Sequence, residues 1–248
     1  MIIGTGLLAR AFSYTVSEQD SVIIYAAGVS NSNCTDESEF LRERTRLGAA
    51  LENSSKIDTF VYFGTCSVAD PIAKSTPYVQ HKLSMERMVK AHPNNLILRL
   101  PQVAGNTPNP HTLLNFLYAR IYRSEKFNLW SNAKRNIIDV DDIVSIALQL
   151  IANKSEQNTT FNIANSVNYL MIDIVSVMEN ILNKRAIYDL VERGSEYNID
   201  TSEISSFLMK TNVKFDDDYL INVITKYYWK HISNYSALIP KKLGSFPL

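Results

Sequence analysis

Tyr78 and Lys82 stand four residues apart, which places a phenol and an ammonium on one face of a helix. Thirteen residues upstream, Thr65 closes an apolar run over 59–64. A hydroxyl, a phenol and an amine that converge at the carboxyl edge of a sheet form a proton-transfer site. Its chemistry would be reduction of a ketone or oxidation of an alcohol. The pair alone carries little weight, because a chain with 13 Tyr meets about 0.7 such Tyr/Lys spacings by chance. A second one exists, Tyr122 and Lys126, but no strand-end hydroxyl precedes it, and it reads as the chance match.

The elements that must position these groups alternate short apolar runs with amphipathic stretches, the pattern of a parallel α/β sheet. Strands are predicted over 1–3, 21–27, 58–63, 95–100 and 160–164, with shorter extended pieces over 127–130 and 135–139. Helices are predicted from the first glycine loop to about Val16, and over 36–53, 78–91, 112–123, 143–153 and 171–183. The 143–153 helix is expected to take Asp141 or Asp142 as its cap. After 187 the pattern loses regularity. The 248 residues can bury a full core, as one domain or one domain with a small lobe. The division expected is a core over 1–165, with 112–140 contributing to a substrate site, and a C-terminal substrate lobe over 166–248.

Between the first strand and its helix, Gly4, Thr5, Gly6, Leu7, Leu8 and Ala9 follow the G-x-G-x-x-G/A form. Such a loop lets backbone N–H groups and a helix N-terminus approach a pyrophosphate. Formal net charge is zero, with 25 basic and 25 acidic residues, which argues against an electrostatic nucleic-acid binder. No apolar run approaches a membrane span, and the N-terminus lacks the features of a secretory signal, so the expected location is the cytoplasm. Two cysteines make neither a disulfide framework nor a four-ligand metal site, and the four histidines show no metal spacing. Cys66 reads as a buried small residue rather than a nucleophile.

Taken together, these residues resemble the extended short-chain dehydrogenase/reductase family, of the NAD-dependent epimerase/dehydratase type. The marks, in the family's order, are the loop at 4–9, Ala26-Ala27-Gly28, and Thr65 followed by Cys66, Ser67 and Val68. Next come Tyr78 with Lys82, the stretch from Arg99 through Pro101 and Val103 to Gly105, and the stretch from Arg135 to Asp142. Phe161 to Ala164 and Asp200 to Ser202 are weaker marks. The resemblance implies a Rossmann-like parallel sheet, NAD or NADP as cofactor, and a nucleotide sugar as substrate. It implies a ketone reduction or 4-epimerisation, with precursors of surface polysaccharides as a typical product. Tyr78 would be the general acid or base, Lys82 would contact the nicotinamide ribose and lower the phenol's pKa, and Thr65 would hold the substrate oxygen. Gly4 to Leu8, Ala26, Ala27, Gly28, Pro101 and Val103 would line the cofactor; Ser67, Asn106 and Arg135 would meet the substrate. Dehydration is disfavoured, because Cys66 and Ser67 stand where dehydratases carry an acidic pair. A homodimer through the helices over 36–53 and 78–91 is a further expectation, set against a solvated surface rich in Arg42, Arg44 and Arg46. A cofactor- or sugar-nucleotide-binding scaffold without catalysis is the alternative function.

One departure bears on all of this. The family ordinarily places two strands and their helices between the glycine-loop helix and the Ala-Ala-Gly strand, and here only 17–20 intervene. The sheet is therefore expected to be truncated on the adenosine side. No acid stands at the tip of the 21–27 strand to read a ribose, and Ser30 and Asn31 are the nearest polar substitutes. If the 21–27 strand keeps its place beside the 58–63 strand, strand 1–3 lies at or near the edge, and the first helix must change faces or cross with the rare left hand.

Overall fold

The computed structural model describes residues 1–15, 21–153, 157–194 and 196–229. In chain order the elements begin with β1 (Ile2–Ile3), α1 (Leu7–Phe12), β2 (Val22–Tyr25), α2 (Glu37–Glu52), β3 (Thr59–Thr65), α3 (Pro77–Val89), β4 (Asn95–Leu100) and β5 (Gln102–Ala104). They continue with α4 (Leu113–Tyr122), β6 (Phe127–Trp130), β7 (Lys134–Arg135), β8 (Ile137–Asp139), α5 (Val140–Ala152), β9 (Thr159–Asn162), β10 (Tyr169–Leu170), α6 (Met171–Leu182), β11 (Tyr188–Val191), α7 (Ser205–Leu208) and α8 (Tyr219–Tyr228).

The chain divides into two compact units. The first comprises Met1–Pro101, Val140–Ala164 and Asn198–Val213. The second comprises Gln102–Asp139, Asn165–Tyr197 and the chain from Lys214.

The first unit is built on a parallel sheet in the order β1-β2-β3-β4-β9. Its central strands are apolar on both faces, as a sheet covered by helices requires. Phe60 and Tyr62 of β3, with Ile23 and Tyr25 of β2 and Ile97 of β4, pack against Leu47 and Ala50 of α2 and Met85 and Val89 of α3. Phe63, of opposite parity on β3, meets Phe12 of α1 at a ring separation of 5.7 Å, and α1 packs on α5. Helix α1 therefore lies on the face opposite to α2 and α3.

That placement fixes the hand of the first crossover. The steps β1 to β2, β2 to β3 and β3 to β4 all run the same way across the sheet. Parallel steps in one direction share a hand only if their helices share a face, so β1-α1-β2 has the hand opposite to its neighbours. With about 98% of such units right-handed, the odd one is left-handed. The expected neighbour order is found, with β1 at the sheet edge among the described residues.

Two expectations are corrected at helix ends. α1 closes at Phe12, while Val16 lies outside the described residues. α5 starts at Val140, so Asp141 and Asp142 occupy its first turn, where they complement the helix dipole rather than cap it.

The second unit holds three two-stranded pairings: β5 with β8 and β6 with β11, both parallel, and β7 with β10, antiparallel. Its core gathers α4, α6 and α8 through residues such as Leu117, Ile121, Ile174, Met178, Val223 and Ile224. Asp139 ties α8 down, accepting from Lys226 Nζ at 2.7 Å and from the Tyr227 hydroxyl at 2.6 Å. Tyr228 donates to Asn115 at 2.6 Å, so these aromatic residues anchor the helix through their polar tips.

Candidate active site

Within the first unit, the groups that could do chemistry gather at the carboxyl ends of β1 to β4. β3 ends on Thr65, whose Oγ1 accepts the Ser67 N–H at 3.2 Å and caps the short turn Cys66–Ala69. Thr76 caps α3 and Pro77 takes its first position, where a missing N–H costs nothing. That sets Tyr78 and Lys82 one turn apart on the buried side of α3. The Thr65 hydroxyl lies beside the Tyr78 phenol and lowers its pKa, but burial and the charge of Glu43 push it up more strongly. The phenol is thus a firmly protonated acid, the reverse of the lowered pKa expected from Lys82. It packs among Val29, Phe40 and Val79 and is 8% exposed.

Lys82 is 3% exposed and turned to a partner that the sequence motifs do not single out. Its Nζ donates to Glu43 Oε1 at 3.2 Å and sits 4.6 Å from the centre of the Tyr62 ring. Glu43, on α2, is fully buried and accepts a hydrogen bond from each of Lys82, Tyr62, Val29 and His81. Tyr62 donates to Oε1 at 2.8 Å, and the Val29 N–H donates to Oε2 at 2.7 Å. His81 Nε2 lies 2.9 Å from Oε2 and must carry the proton there, because a carboxylate only accepts. Burial raises the Glu43 carboxyl, but Lys82 and the donors from His81, Val29 and Tyr62 outweigh it and hold the pKa at about 2. A signal for Glu43 is present in the sequence. Phe40, Glu43, Leu47 and Ala50 form one helical stripe, all buried, with one charge among apolar residues.

The cofactor residues expected in this unit also line up along the strand ends. Gly4 has φ +135°, and a methyl group there would lie 2.4 Å from the Ala26 carbonyl oxygen, so only glycine fits. Gly6 begins α1 as its N-cap, with Leu7 and Leu8 in the first turn. A methyl on Gly6 would meet no protein atom within 4 Å, so the fold leaves that backbone open to approach. Thr5 is exposed, and its carbonyl accepts from Arg10 at 2.9 Å. Ala26 and Ala27 continue β2, the Ala26 N–H reaching the Ile3 carbonyl at 2.8 Å. At Gly28 a methyl would lie 2.8 Å from both Glu43 Oε1 and Lys82 Nζ, so this backbone rests directly on the ion pair. Pro101 follows β4.

Three expected residues belong to the second unit. Val103 is in β5, Asn106 is exposed beyond it, and half-buried Arg135 is in β7, paired across to Tyr169 of β10. Arg135 donates to the Lys134 carbonyl at 2.8 Å.

Other expectations resolve plainly. Cys66 is fully buried, donates to the Arg99 carbonyl at 3.3 Å and is pushed up to about 12 by burial, which makes it an inert thiol. Arg99 is structural, clamping Glu86 through two bonds of 2.9 and 2.7 Å. Tyr122 ends α4 while Lys126 lies beyond it, paired with Asp189, so this Tyr and Lys share no helix face. No helix among the described residues is long and apolar enough to cross a membrane.

A parallel sheet with a glycine loop after its first strand, and a Thr, a Tyr and a Lys at its carboxyl end, defines a Rossmann-like dinucleotide enzyme. The chain belongs to the NAD dependent epimerase/dehydratase family, whose family model matches residues 7–164. It is thereby an NAD-dependent enzyme of the extended short-chain dehydrogenase/reductase type. Solved structures share the fold. UDP-glucuronic acid 4-epimerase from Bacillus cereus, in complex with UDP-glucuronic acid and NAD, superposes with a TM-score of 0.68 at 20% identity, over 86% of this chain and 75% of that one. dTDP-glucose 4,6-dehydratase from Bacillus anthracis str. Ames, in complex with NAD, gives 0.65 at 16%, over 86% and 73%. UDP-glucose 4-epimerase from Thermus thermophilus, in complex with NAD, gives 0.65 at 12%, over 88% and 79%. No curated protein matches the chain in sequence.

Proposed function

We propose that this protein is an NAD-dependent reductase or 4-epimerase of a nucleotide-activated sugar. The observation that carries the reading is the pairing of Thr65 with a protonated Tyr78 at the end of β3, one helical turn from Lys82. The open backbone at Gly6 and the close approach at Gly28 fit a dinucleotide laid along the strand ends. Gly4 to Leu8 would hold its diphosphate, with Ala26, Ala27, Gly28, Pro101 and Val103 along its length and Lys82 toward the nicotinamide ribose. When bound, NAD supplies the acceptor or donor of a hydride. Thr65 would hold the reacting oxygen of the sugar, and Tyr78 would give it a proton or take one from it. Ser67, Asn106 and Arg135 would meet the sugar nucleotide, the Arg fork suiting a diphosphate.

Reduction and 4-epimerisation need only this set. Elimination needs an acid pair after the Thr, and Cys66 and Ser67 stand there. The Bacillus cereus relative's complex with UDP-glucuronic acid supports the substrate class. A role in surface-polysaccharide precursors rests on the family resemblance.

A second reading is favoured by one observation: the Tyr78 phenol and the Lys82 ammonium are both nearly closed off by Val29, Phe40 and Glu43. A scaffold that binds cofactor or sugar nucleotide without turnover would look the same. Turnover of a panel of UDP- and dTDP-sugars, followed through NADH fluorescence for reduction and through chromatographic separation of the epimers for 4-epimerisation, separates the two. The enzyme reading expects Tyr78→Phe to lose at least about 100-fold in kcat. Full turnover in Tyr78→Phe would end it, and binding without turnover in the parent would establish the scaffold.

A further inference from the structure

Glu43 is a buried acid that the roles above leave unused. It joins three elements at one point: the loop after β2 through the Val29 N–H, β3 through Tyr62, and α3 through His81 and Lys82. Both carboxylate oxygens are saturated, with two donors each, so nothing is left for a ligand to take. Gly28 packs on the ion pair: a methyl there would lie 2.8 Å from both Glu43 Oε1 and Lys82 Nζ, so a larger residue would displace one of them. Lys82, 3% exposed, is held between Gly28, Glu43 and the Tyr62 ring.

We propose that Glu43 is the positioning residue of this site: it clamps Lys82 beneath Gly28 and balances its charge, so that Tyr78 stands ready as a proton donor rather than a base. This rests on the proposed function and adds to it a direction, protonation of a substrate carbonyl oxygen. In that step the Tyr78 O–H bond breaks and the alcohol O–H bond forms, while the carbonyl carbon would gain its C–H bond from the hydride that reduced NAD supplies when bound. The phenolate left behind takes a proton from water.

The groups facing Tyr78 are few. Thr65 and Tyr62 come from β3, Glu43 from α2 and Cys34 from the loop after β2, while Lys82 and His81 are buried on its own helix. Around Glu43 stand Lys82, His81 and Tyr62, with Tyr25 donating to its backbone carbonyl at 3.2 Å and Arg42 and Arg46 acting on Tyr25 from α2. Glu86 acts on Tyr62. Among these, Glu43 is the carboxylate that acts on the phenol, and Lys82 is the cation paired with it. Removing the acid alone leaves an unbalanced cation, which favours phenolate.

The test is the ionisation of Tyr78 in the full chain without substrate, read as tyrosinate absorbance of each protein minus that of its Tyr78→Phe counterpart. In the parent, Tyr78 stays protonated up to the pH of alkaline unfolding. In Glu43→Gln it ionises lower by roughly one to three pH units. The alkaline limb of kcat for ketone reduction moves down with it, at unchanged KM. A Glu43→Gln curve superimposable on the parent's overturns the proposal. If Glu43→Gln fails to fold, Glu43→Gln with Lys82→Gln removes both charges. Tyr78 should then titrate as in the parent, and a lowered curve in that double variant overturns the proposal equally. NADH binding, measured separately by fluorescence transfer, reports on the proposed function, so its failure is not confused with failure of the Glu43 assignment.

Discussion

Lys82→Met tests the ion pair as a structural element. The methionine keeps most of the stem that packs on the Tyr62 ring and deletes the ammonium, leaving Glu43 buried with three neutral or weakly basic donors. In the parent, the Glu43 carboxyl sits at about 2 against an ordinary 4.5. That difference, about 2.5 pH units at about 1.36 kcal/mol each, corresponds to about 3 kcal/mol of folding free energy at neutral pH. The folded-state pKa is depressed, so this contribution is present above pH 4.5 and is lost as pH falls through about 2. Losing one partner of a buried pair costs about 3–5 kcal/mol, which agrees in size. At pH 4 the parent has already given up about 1 kcal/mol of it, because the unfolded carboxyl is then mostly protonated. In the variant, burial acts without the cation and raises the carboxyl, so this acid-side loss disappears.

Urea unfolding followed by far-ultraviolet circular dichroism measures both quantities. The expected result is a variant less stable by about 3–5 kcal/mol at pH 7, with the gap to the parent narrower by about 1 kcal/mol or more at pH 4. Groups untouched by the substitution cancel in the comparison. Equal urea midpoints at pH 7, or a gap that widens at pH 4, would refute the assignment of Glu43 as an ionised buried carboxylate paired with Lys82.

The remaining expectations concern the cofactor and substrate sides. Gly4→Ala forces a methyl against the Ala26 carbonyl at a positive φ and should cost about 2–4 kcal/mol by urea unfolding, whereas Gly6→Ala meets open space and should cost about 1 kcal/mol or less. Gly6→Ala should nevertheless weaken NADH binding at least about tenfold by fluorescence titration, because the methyl stands where a diphosphate would approach. Arg135→Met should raise KM for a sugar nucleotide about tenfold or more with NADH affinity unchanged, and an equal loss of both would remove Arg135 from the substrate site. NADH and NADPH should bind within about tenfold of each other in equilibrium titration, since the tip of β2 carries no acid to read the ribose and β1 is the sheet edge among the described residues.

What is legible in the sequence follows from how local each signal is. Thr65 and Tyr78 are readable because strand ends and helix starts are written nearby: the apolar run over 59–64, and the Thr76-Pro77 cap. The β4 boundaries, Asn95–Leu100, match the reading because Pro101 stops the strand. Glu43 escapes notice because its neighbours in sequence, Arg42, Arg44 and Arg46, are exposed, and together they read as a solvated charged run. Only the three-four-three spacing of Phe40, Glu43, Leu47 and Ala50 exposes it as a core position. The extended piece over 135–139 reads as continuous in sequence, but it divides at Asn136. That side chain donates to the Asn165 carbonyl at 2.8 Å and accepts the Asn165 N–H at 3.0 Å. A partner 29 residues away leaves no trace in local pattern.

The hand of the first crossover belongs to the same class of long-range facts, and it shows what the fold holds fixed. Two arrangements are open to the sequence: β2 outside β1 with an ordinary right-handed helix, or β2 between β1 and β3 with α1 on the opposite face. The first would set β1 directly against β3 and part the end of β2 from Thr65. The structure takes the second, and its details give the reason. β2, β3 and β4 keep their order, so Gly28 and Thr65 remain by neighbouring strand ends with Tyr78 on α3 beside Thr65, and α2 can deliver Glu43 beneath Gly28. α1 has its own apolar partners on the other face, in Phe63 and α5, so the uncommon hand is offset by burial of Phe12 and Ala9. The rare crossover is confined to the edge strand, where the strand is two residues long and few ladder bonds depend on it. The proposed site is therefore carried by the β2-α2-β3-α3 segment, and the glycine loop is brought to it by the edge strand β1.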